Sequence, residues 1–521
     1  MPLFKLPKRA GKESDKAIAG KSKTKTITTS IRGGNSVLGQ ISQINAMVEK
    51  NLGQFRSDYV VIRDKATLSD YMTKCICNNV VAIDTETTGL DPILDKIVGL
   101  CLYTPYYPAV YVPINHISYV TGIRVENQLT EQDVAEELEC MIQFNPDIIM
   151  FNAKFDMRVI RNQLGVKDIY CTWDAYLAAK LLNENEESHG LKALHKKYCL
   201  KGQGDAFSFD ALFKGVSADK IPINSFYLYA AHDAIITYEL YEYQKQFIYY
   251  DASMPPTERN GLNGVSWVFH NIEMPCVPIV CDMEDNGILF DFEYNQKLKD
   301  KYHTLLDERE KEFHKICDMY ADEIEAYRKK MGVDCKLDNP INIKSSSQIA
   351  ILLYDIMKCE APVDKKTKKE LRTTNEAALR AMKDNPVAKA VLDYREFSTI
   401  VNTFIDKLPE CVNPKDGRIH CSFNQYGART GRFSSENPNL QNIPSHNKDI
   451  RKMFVATNEE KLVSTDIQQF VVDRWCEVEC TNEWKYADKI IAGDMLLLDD
   501  GSCVNVCGVI VMQDKVVIDF R

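Results

Sequence analysis

A chain of 521 residues with 45% apolar, 26% charged and 10% aromatic side chains can build two or three domains, each with its own buried core. No apolar run approaches the length of a membrane span and the start lacks the charged-then-apolar layout of a secretory signal, so a soluble, cytoplasmic protein is expected. The 17 cysteines then read as reduced thiols and not as a disulfide framework.

The net charge of −10 is unevenly spread. Residues Met1 to Gly34 hold nine basic and two acidic side chains, a charge of +7, which leaves −17 for the rest. This Lys-, Ser-, Thr- and Gly-rich start, taken as far as residue 55, is expected to be a basic disordered tail. Such a tail can hold DNA through phosphate contacts or serve as a solubilising extension. An acidic body is compatible with carboxylate metal sites and says nothing about fold.

From about Asp58 to Gln246 apolar strands alternate with amphipathic helices. Val80 to Ile83, Ile97 to Tyr103 and Ala109 to Pro113 read as strands, and Asp147 to Phe151 as a short buried one. Helices are expected over Glu131 to Gln143, opening after Thr130 as N-cap, and over Lys154 to Leu164. The looser stretch Asp251 to Asn263, with Pro255, Pro256 and Gly261, reads as a boundary. Helical spacing resumes from Glu273 to Met331, Ser347 to Met357 and Asn375 to Leu408, interrupted by the run Lys365 to Lys369, which reads as a solvated loop or a phosphate-gripping element. Cys411 to Arg521 is strand-rich again.

The strand Val80 to Ile83 runs into Asp84-Thr85-Glu86, so two carboxylates two residues apart point to one face. Side by side they repel unless a cation neutralises them, which makes the pair a candidate Mg²⁺ or Mn²⁺ site. Taken alone, an Asp-x-Glu is more often a solvated strand end than a metal site. Two further groups follow: Asn152 with Asp156 and Tyr229 with Asp233, each four apart and hence on one helical face. The plain alternatives are an N-capping Asn152, a packed Tyr229 and surface acids at Asp156 and Asp233.

Taken together, in this order and spacing, the three groups resemble the motifs of the DEDD exonucleases in the form with Tyr in the third motif, shared by the proofreading domains of family A DNA polymerases. The resemblance implies a ribonuclease H-like α/β domain, a mixed sheet flanked by helices, that hydrolyses single-stranded DNA from the 3' end. It implies two Mg²⁺ or Mn²⁺ ions, with Asp84 bridging both, Glu86 and Asp233 completing one site and Asp156 holding the other through water. Tyr229 would orient the attacking water, since a phenol of ordinary pKa about 10 is a poor base at neutral pH. Asn152 would touch the DNA, and His232, on another face of its helix, is read as structural.

A second block resembles the family A polymerase signature. It comprises Arg418 to Phe423 and Thr430-Gly431-Arg432-Phe433-Ser434-Ser435-Glu436-Asn437-Pro438-Asn439-Leu440-Gln441-Asn442-Ile443-Pro444, after a thumb-to-palm passage with Tyr394, Arg395 and Thr403 to Pro409. Arg432, Gln441 and Asn442 would donate to minor-groove acceptors of primer-template DNA, whose positions are nearly the same for every correct pair. Leu462 to Gln469 resembles the first palm motif, with Asp466 as metal ligand. Beyond Gln469 the match fails, and no fingers helix or palm hairpin follows before Arg521.

Trp484 to Phe520 instead resembles the start of an intein, which suggests a split gene, a bacteriophage source (hence a host-cell cytoplasm) and a separate carboxy-terminal polymerase fragment. Cys476, Cys480, Cys503 and Cys507 offer a zinc site as a rival reading, and a truncation product is a third. The expected layout is thus a tail (1–55), an exonuclease domain (56–250), a linker and helical thumb (251–410), an incomplete palm (411–470) and a small all-β segment (471–521). A DEDD exoribonuclease and a precursor for protein trans-splicing are the alternatives in function.

Overall fold

The structure is a computed structural model that describes residues 37–201, 208–213, 215–248, 262–363, 371–428, 431–444 and 447–457, with the backbone of six strands between 469 and 520. The Lys365 to Lys369 run, most of the 251–263 stretch, Asp466, Cys476 and Cys480 lie outside the described residues. The chain forms two compact units, Met1–Asn286 with Cys421–Glu436, and Gly287–His420 with Asn437–Arg521.

The first unit is built on a six-stranded sheet of β1 (Tyr59–Val61), β2 (Val80–Thr87), β3 (Ile97–Tyr103), β4 (Ala109–Pro113), β5 (Asp147–Met150) and β6 (Trp173–Asp174). The strands lie in the order β1-β4-β3-β2-β5-β6. β3 is antiparallel to both neighbours and the other pairs are parallel. This is the mixed sheet expected from the sequence, with β2 in its interior and hydrogen-bonded on both sides.

The helices of this part are α1 (Val37–Leu52), α2 (Lys65–Asn78), α3 (Glu131–Ile142), α4 (Ala153–Val159), α5 (Ala175–Leu182), α6 (Leu191–Tyr198), α7 (Phe209–Phe213) and α8 (Ile223–Gln244). Val81, Ile83, Leu100, Leu102, Val110 and Val112 pack with Leu68, Met72, Val134 and Leu138 of α2 and α3. Cys101, Ala109 and Tyr111 belong to a second core with α1, α7 and α8. Thr130 caps α3 through a reciprocal box with Asp133, which satisfies amides the helix start would leave unpaired.

One expectation is corrected here. The stretch 1–55 is not a tail throughout: Val37–Leu52 is a helix, because Ile44, Val48 and Leu52 recur at four-residue spacing and are buried in the second core. The charge run before Gly34 masked that apolar stripe. The compact first unit also continues beyond the exonuclease stretch expected to end near residue 250. It takes in α9 (Leu262–Val268), a π-helical turn (Phe269–Glu273) and α10 (Met274–Asn286), whose Phe269, Met274, Val277 and Cys281 join the core of the sheet.

The second unit has β7 (Ile288–Phe290), α11 (Phe292–Asp318), α12 (Ala321–Met331), α13 (Ser346–Ala350), α14 (Glu376–Ala381) and α15 (Pro386–Ile400), then β8 (Arg418–Ile419). A hairpin of β9 (Ser422–Asn424) and β10 (Ser434–Glu436) returns to the first unit. α16 (Lys448–Arg451) and β11 (Phe454–Val455) belong to the second unit, where β7 is the middle strand of a sheet in the order β11-β7-β8. β7 interrupts the helical run expected from Glu273 to Met331. Ile288, Leu289 and Phe290 follow Gly287, whose positive φ ends α10 and turns the chain into the sheet. β12 (Gln469–Asp473), β13 (Glu477–Glu479), β14 (Trp484–Tyr486), β15 (Met495–Leu497), β16 (Cys503–Val511) and β17 (Lys515–Phe520) are antiparallel.

A buried charge network ties α4 to α10 and to the β9–β10 hairpin. Glu284, 1% exposed, receives Lys154 Nζ at 2.7 Å, Arg158 Nη1 at 2.6 Å and the Phe423 amide at 2.6 Å. Lys154 also donates to Ser422 Oγ and the Phe423 carbonyl, and Arg158 to Asp285. Removing one partner of a buried pair strands the others, so Glu284→Ala is expected to destabilise this unit by about 3–5 kcal/mol. Urea denaturation followed by far-UV circular dichroism checks this, and a shift in midpoint within error of zero would show that the network is not desolvated.

Candidate active site

β2 is an apolar strand through Ile83 and then carries Asp84, Thr85 and Glu86 into the sheet interior. In the β2–β3 ladder Asp84 lies opposite Cys101 and Glu86 opposite Gly99. Carboxylate oxygens of Asp84 and Glu86 and the Cys101 sulfur all lie within 4.8 Å of one another. Gly99 is required by space: a Cβ there would come within 2.2 Å of the Tyr111 hydroxyl, which bonds His116 Nε2 at 2.6 Å.

The electrostatics of this pair are unfavourable without a counter-charge. Burial, then the charges of Asp156, Glu86 and Asp233, hold the Asp84 carboxyl well above the usual carboxylate range. Burial, followed by Asp233, pushes Glu86 up to about 8. Burial also keeps the Cys101 thiol protonated, with the surrounding carboxylates adding to the effect, so the sulfur is wall and not thiolate.

Asp156 reaches β2 from α4. Its Oδ1 accepts from the Thr85 amide at 2.8 Å and the Thr85 hydroxyl at 2.6 Å, between the two acids of the strand. Burial pushes Asp156 up to about 7, and the Thr85 bonds oppose that rise. Asn152 does not share a helical turn with Asp156 as the four-residue spacing suggested. It is the residue before α4, at φ 61°, a left-handed conformation that Asn tolerates better than most, and its exposed side chain makes no cap bond.

The cap comes from Asp174, a residue the motif reading passed over. Its buried carboxylate accepts from the Asn152 and Ala153 amides, both at 2.9 Å, and from Tyr176 and Leu177 at the start of α5. Burial pushes it up to about 6 while these amides pull the other way. The signal was present, an Asp immediately before the apolar helix Ala175–Leu182.

Tyr229 and Asp233 come from α8. The Tyr229 ring is met edge-on by Phe213 at 5.4 Å and Phe209 at 5.8 Å. Burial, then the charges of Asp233, Glu86 and Asp84, push its phenol above the ordinary range. Asp233 Oδ2 pairs with Lys192 Nζ at 3.1 Å, while Oδ1 is buried and accepts no hydrogen bond. Asp156 and Asp233 are not part of the 4.8 Å cluster, yet the charges of both act on Asp84. His232 bonds the Tyr59 hydroxyl at 2.7 Å and stacks on Phe55 at 5.3 Å.

Among the described residues these acids form a donor set that fits a divalent cation: oxygen ligands, excess negative charge and one buried oxygen with nothing to accept. Of the other predicted residues, Arg432 is exposed in the first unit. Gln441 and Asn442 are exposed on the 3₁₀ turn Leu440–Asn442 of the second. Cys503 and Cys507 lie on the single strand β16. No helix among the described residues is long and apolar enough to cross a membrane.

Comparison with known proteins agrees with this geometry. Residues 59–246 match the model of the 3'-5' exonuclease domain, and residues 309–471 match that of DNA polymerase family A. The chain is 29% identical over 421 residues to DNA polymerase I of Chloroflexus aurantiacus, covering 78% of this chain and 40% of that one. It is 31% identical over 428 residues to DNA polymerase I of Pseudomonas aeruginosa, covering 80% and 42%. It therefore spans about two fifths of the length of these relatives. A solved structure of the POL domain of Pol1 from M. smegmatis, in complex with DNA primer-template and dNTP, superposes with a TM-score of 0.50 at 21% identity, covering 80% of this chain and 60% of that one.

One consequence concerns stability. Replacing Asp84 by Asn removes a charge from a buried, mutually repelling set, so D84N is expected to gain about 1–2 kcal/mol in metal-free buffer. Thermal unfolding in excess chelator reads this, and a loss of stability would mean that the acids are held by favourable contacts and not against repulsion.

Proposed function

We propose, from the match of residues 59–246 to the 3'-5' exonuclease domain and of residues 309–471 to DNA polymerase family A, that the chain removes nucleotides stepwise from the 3' ends of single-stranded DNA and of frayed primers. The observation that carries this reading is the half-buried pair Asp84 and Glu86, whose carboxylate oxygens crowd together with their charges unrelieved. Asp84, Glu86, Asp156 and Asp233 would hold two Mg²⁺ or Mn²⁺ ions. When bound, the ions lower the pKa of the attacking water and neutralise charge that develops on the phosphate.

The rest is done by the chain. Tyr229 retains its proton because its phenol is pushed up and not down, so it orients the water by a hydrogen bond and does not deprotonate it. Thr85, between the two acids of β2, fixes Asp156 through two hydrogen bonds to its Oδ1. Asn152, exposed and not engaged in capping α4, is available to the strand. Arg432, Gln441 and Asn442 serve the duplex, as donors to the minor groove, and Asp466 is assigned to the polymerase metal site. The reading places the protein in the cytoplasm, that of a bacterial host if its source is a bacteriophage.

The match to the polymerase family ends at residue 471, within β12, which pairs along its length with β17. This supports a second reading of residues 471–521 as an intein-like β segment, with a separate carboxy-terminal fragment completing the polymerase. Coexpression with such a fragment and mass measurement would detect excision of the segment.

The exonuclease reading is tested by release of 3'-labelled nucleotide from an oligodeoxynucleotide, with a matched RNA strand in parallel. Asp84→Ala combined with Glu86→Ala should lower the rate by at least about 10³-fold while the circular dichroism spectrum is unchanged, since both charge-stabilising ligands are lost. Undiminished cleavage by the double variant would sink the assignment, and preference for the RNA strand would move the enzyme to the exoribonucleases.

A further inference from the structure

Lys192 is placed where neither the motif reading nor the family comparison assigns a residue. It lies in the first turn of α6, where a cation meets the positive end of the helix and is disfavoured. α6 is set against α8 by buried Leu194 and by His195 Nε2, 2.5 Å from Glu239 Oε2. From there the Lys192 ammonium sits 3.7 Å from the centroid of the Tyr229 ring and 3.1 Å from Asp233 Oδ2. Its side chain is 21% exposed and that of Asp233 13%, so the pair is largely withdrawn from water. Helix stability does not explain a lysine at this position, whereas the contact with two residues of the site does.

We infer that Lys192 is a positioning residue for the exonuclease reaction, clamping Tyr229 and Asp233 in fixed relation to each other; the inference rests on the exonuclease reading above. Tyr229 and Asp233 are one turn apart on the same face of α8 and share no other cation among the described contacts. Phe213 and Phe209 meet the ring edge-on, Phe226 stacks with it at 6.3 Å, and the ammonium lies over its negative face. The ring is therefore restrained by aromatic neighbours and by the cation together. Asp233 at the same time has one oxygen committed to Lys192 and the other, Oδ1, left for a cation. The clamp fixes one oxygen of Asp233 and the Tyr229 ring relative to each other.

Two opposed effects separate this role from plain support of the fold. Lys192→Met keeps the aliphatic stem and removes the charge. Exonuclease kcat is expected to fall by about 10- to 100-fold with KM for a single-stranded oligonucleotide within a factor of about two, the pattern of lost orientation. Mn²⁺ binding, followed by electron paramagnetic resonance without substrate, is expected to tighten by about 3- to 10-fold, because a positive charge beside a ligand has gone. Lys192→Arg should restore part of kcat. In a Tyr229→Phe background Lys192→Met should cost less than it does alone, because the two act through one ring.

Unchanged kcat in Lys192→Met overturns the inference. So does a joint fall of kcat, Mn²⁺ affinity and melting temperature, which would mark a structural residue. Full additivity with Tyr229→Phe also overturns it. An inactive wild-type protein, or an active Asp84→Ala Glu86→Ala variant, would instead remove the exonuclease reading itself, so the two failures are told apart in one set of assays.

Discussion

Two carboxylates on alternate residues of an interior strand repel across less than 5 Å, and the first unit is organised around that repulsion. At an effective dielectric of about 20, unit charges at this distance oppose each other by roughly 3 kcal/mol. Burial first, and then the charges of neighbouring acids, hold Asp84 and Glu86 above the ordinary carboxylate range. A fold selected for stability alone would place neutral residues here. This one instead brings Asp156 to the same strand through Thr85 and Asp233 to the same face from α8, adding negative charge to a site already crowded with it. Such an arrangement is coherent as a seat for divalent cations, for which the excess charge is the binding energy.

The surroundings make the seat rigid. Gly99 leaves room for Tyr111, whose hydroxyl is locked to His116, so the floor beneath Glu86 cannot shift. Asp174 holds the starts of α4 and α5 together with one carboxylate and so fixes the helix that delivers Asp156. The Lys154–Glu284–Arg158 network binds the same helix to α10 and to the β9–β10 hairpin, a segment of the polymerase signature that belongs to the exonuclease unit. Movement of that hairpin would be felt by α4 through buried charges and not through a solvated linker.

Much of this was legible in the sequence, for physical reasons that differ by element. The interior strands are nearly continuous apolar runs, so β3 and β4 fall on the residues expected of them, and the Thr130 cap marks the start of α3. Asp84 and Glu86 were readable because strand periodicity is two and any i, i+2 pair shares a face. The spacing of Asn152 and Asp156 misled, since a helix rule was applied across a residue that is left-handed and outside the helix. α1 was hidden by the charge of the residues before it, and β7 by the helices on either side. Lys192 could not be found from motifs, because what gives it meaning is contact with Tyr229 and Asp233 after folding, whereas Asp174 left a helix-start signal before Ala175 that the motif reading passed over.

The most direct test of the account is where cations sit. Crystals soaked with Mn²⁺ and a deoxynucleoside monophosphate, measured at the manganese absorption edge, should give anomalous peaks within bonding distance of Asp84, with Glu86, Asp156 and Asp233 around them. Peaks elsewhere, or none at saturating Mn²⁺, would contradict the claim that the buried acids are a metal seat.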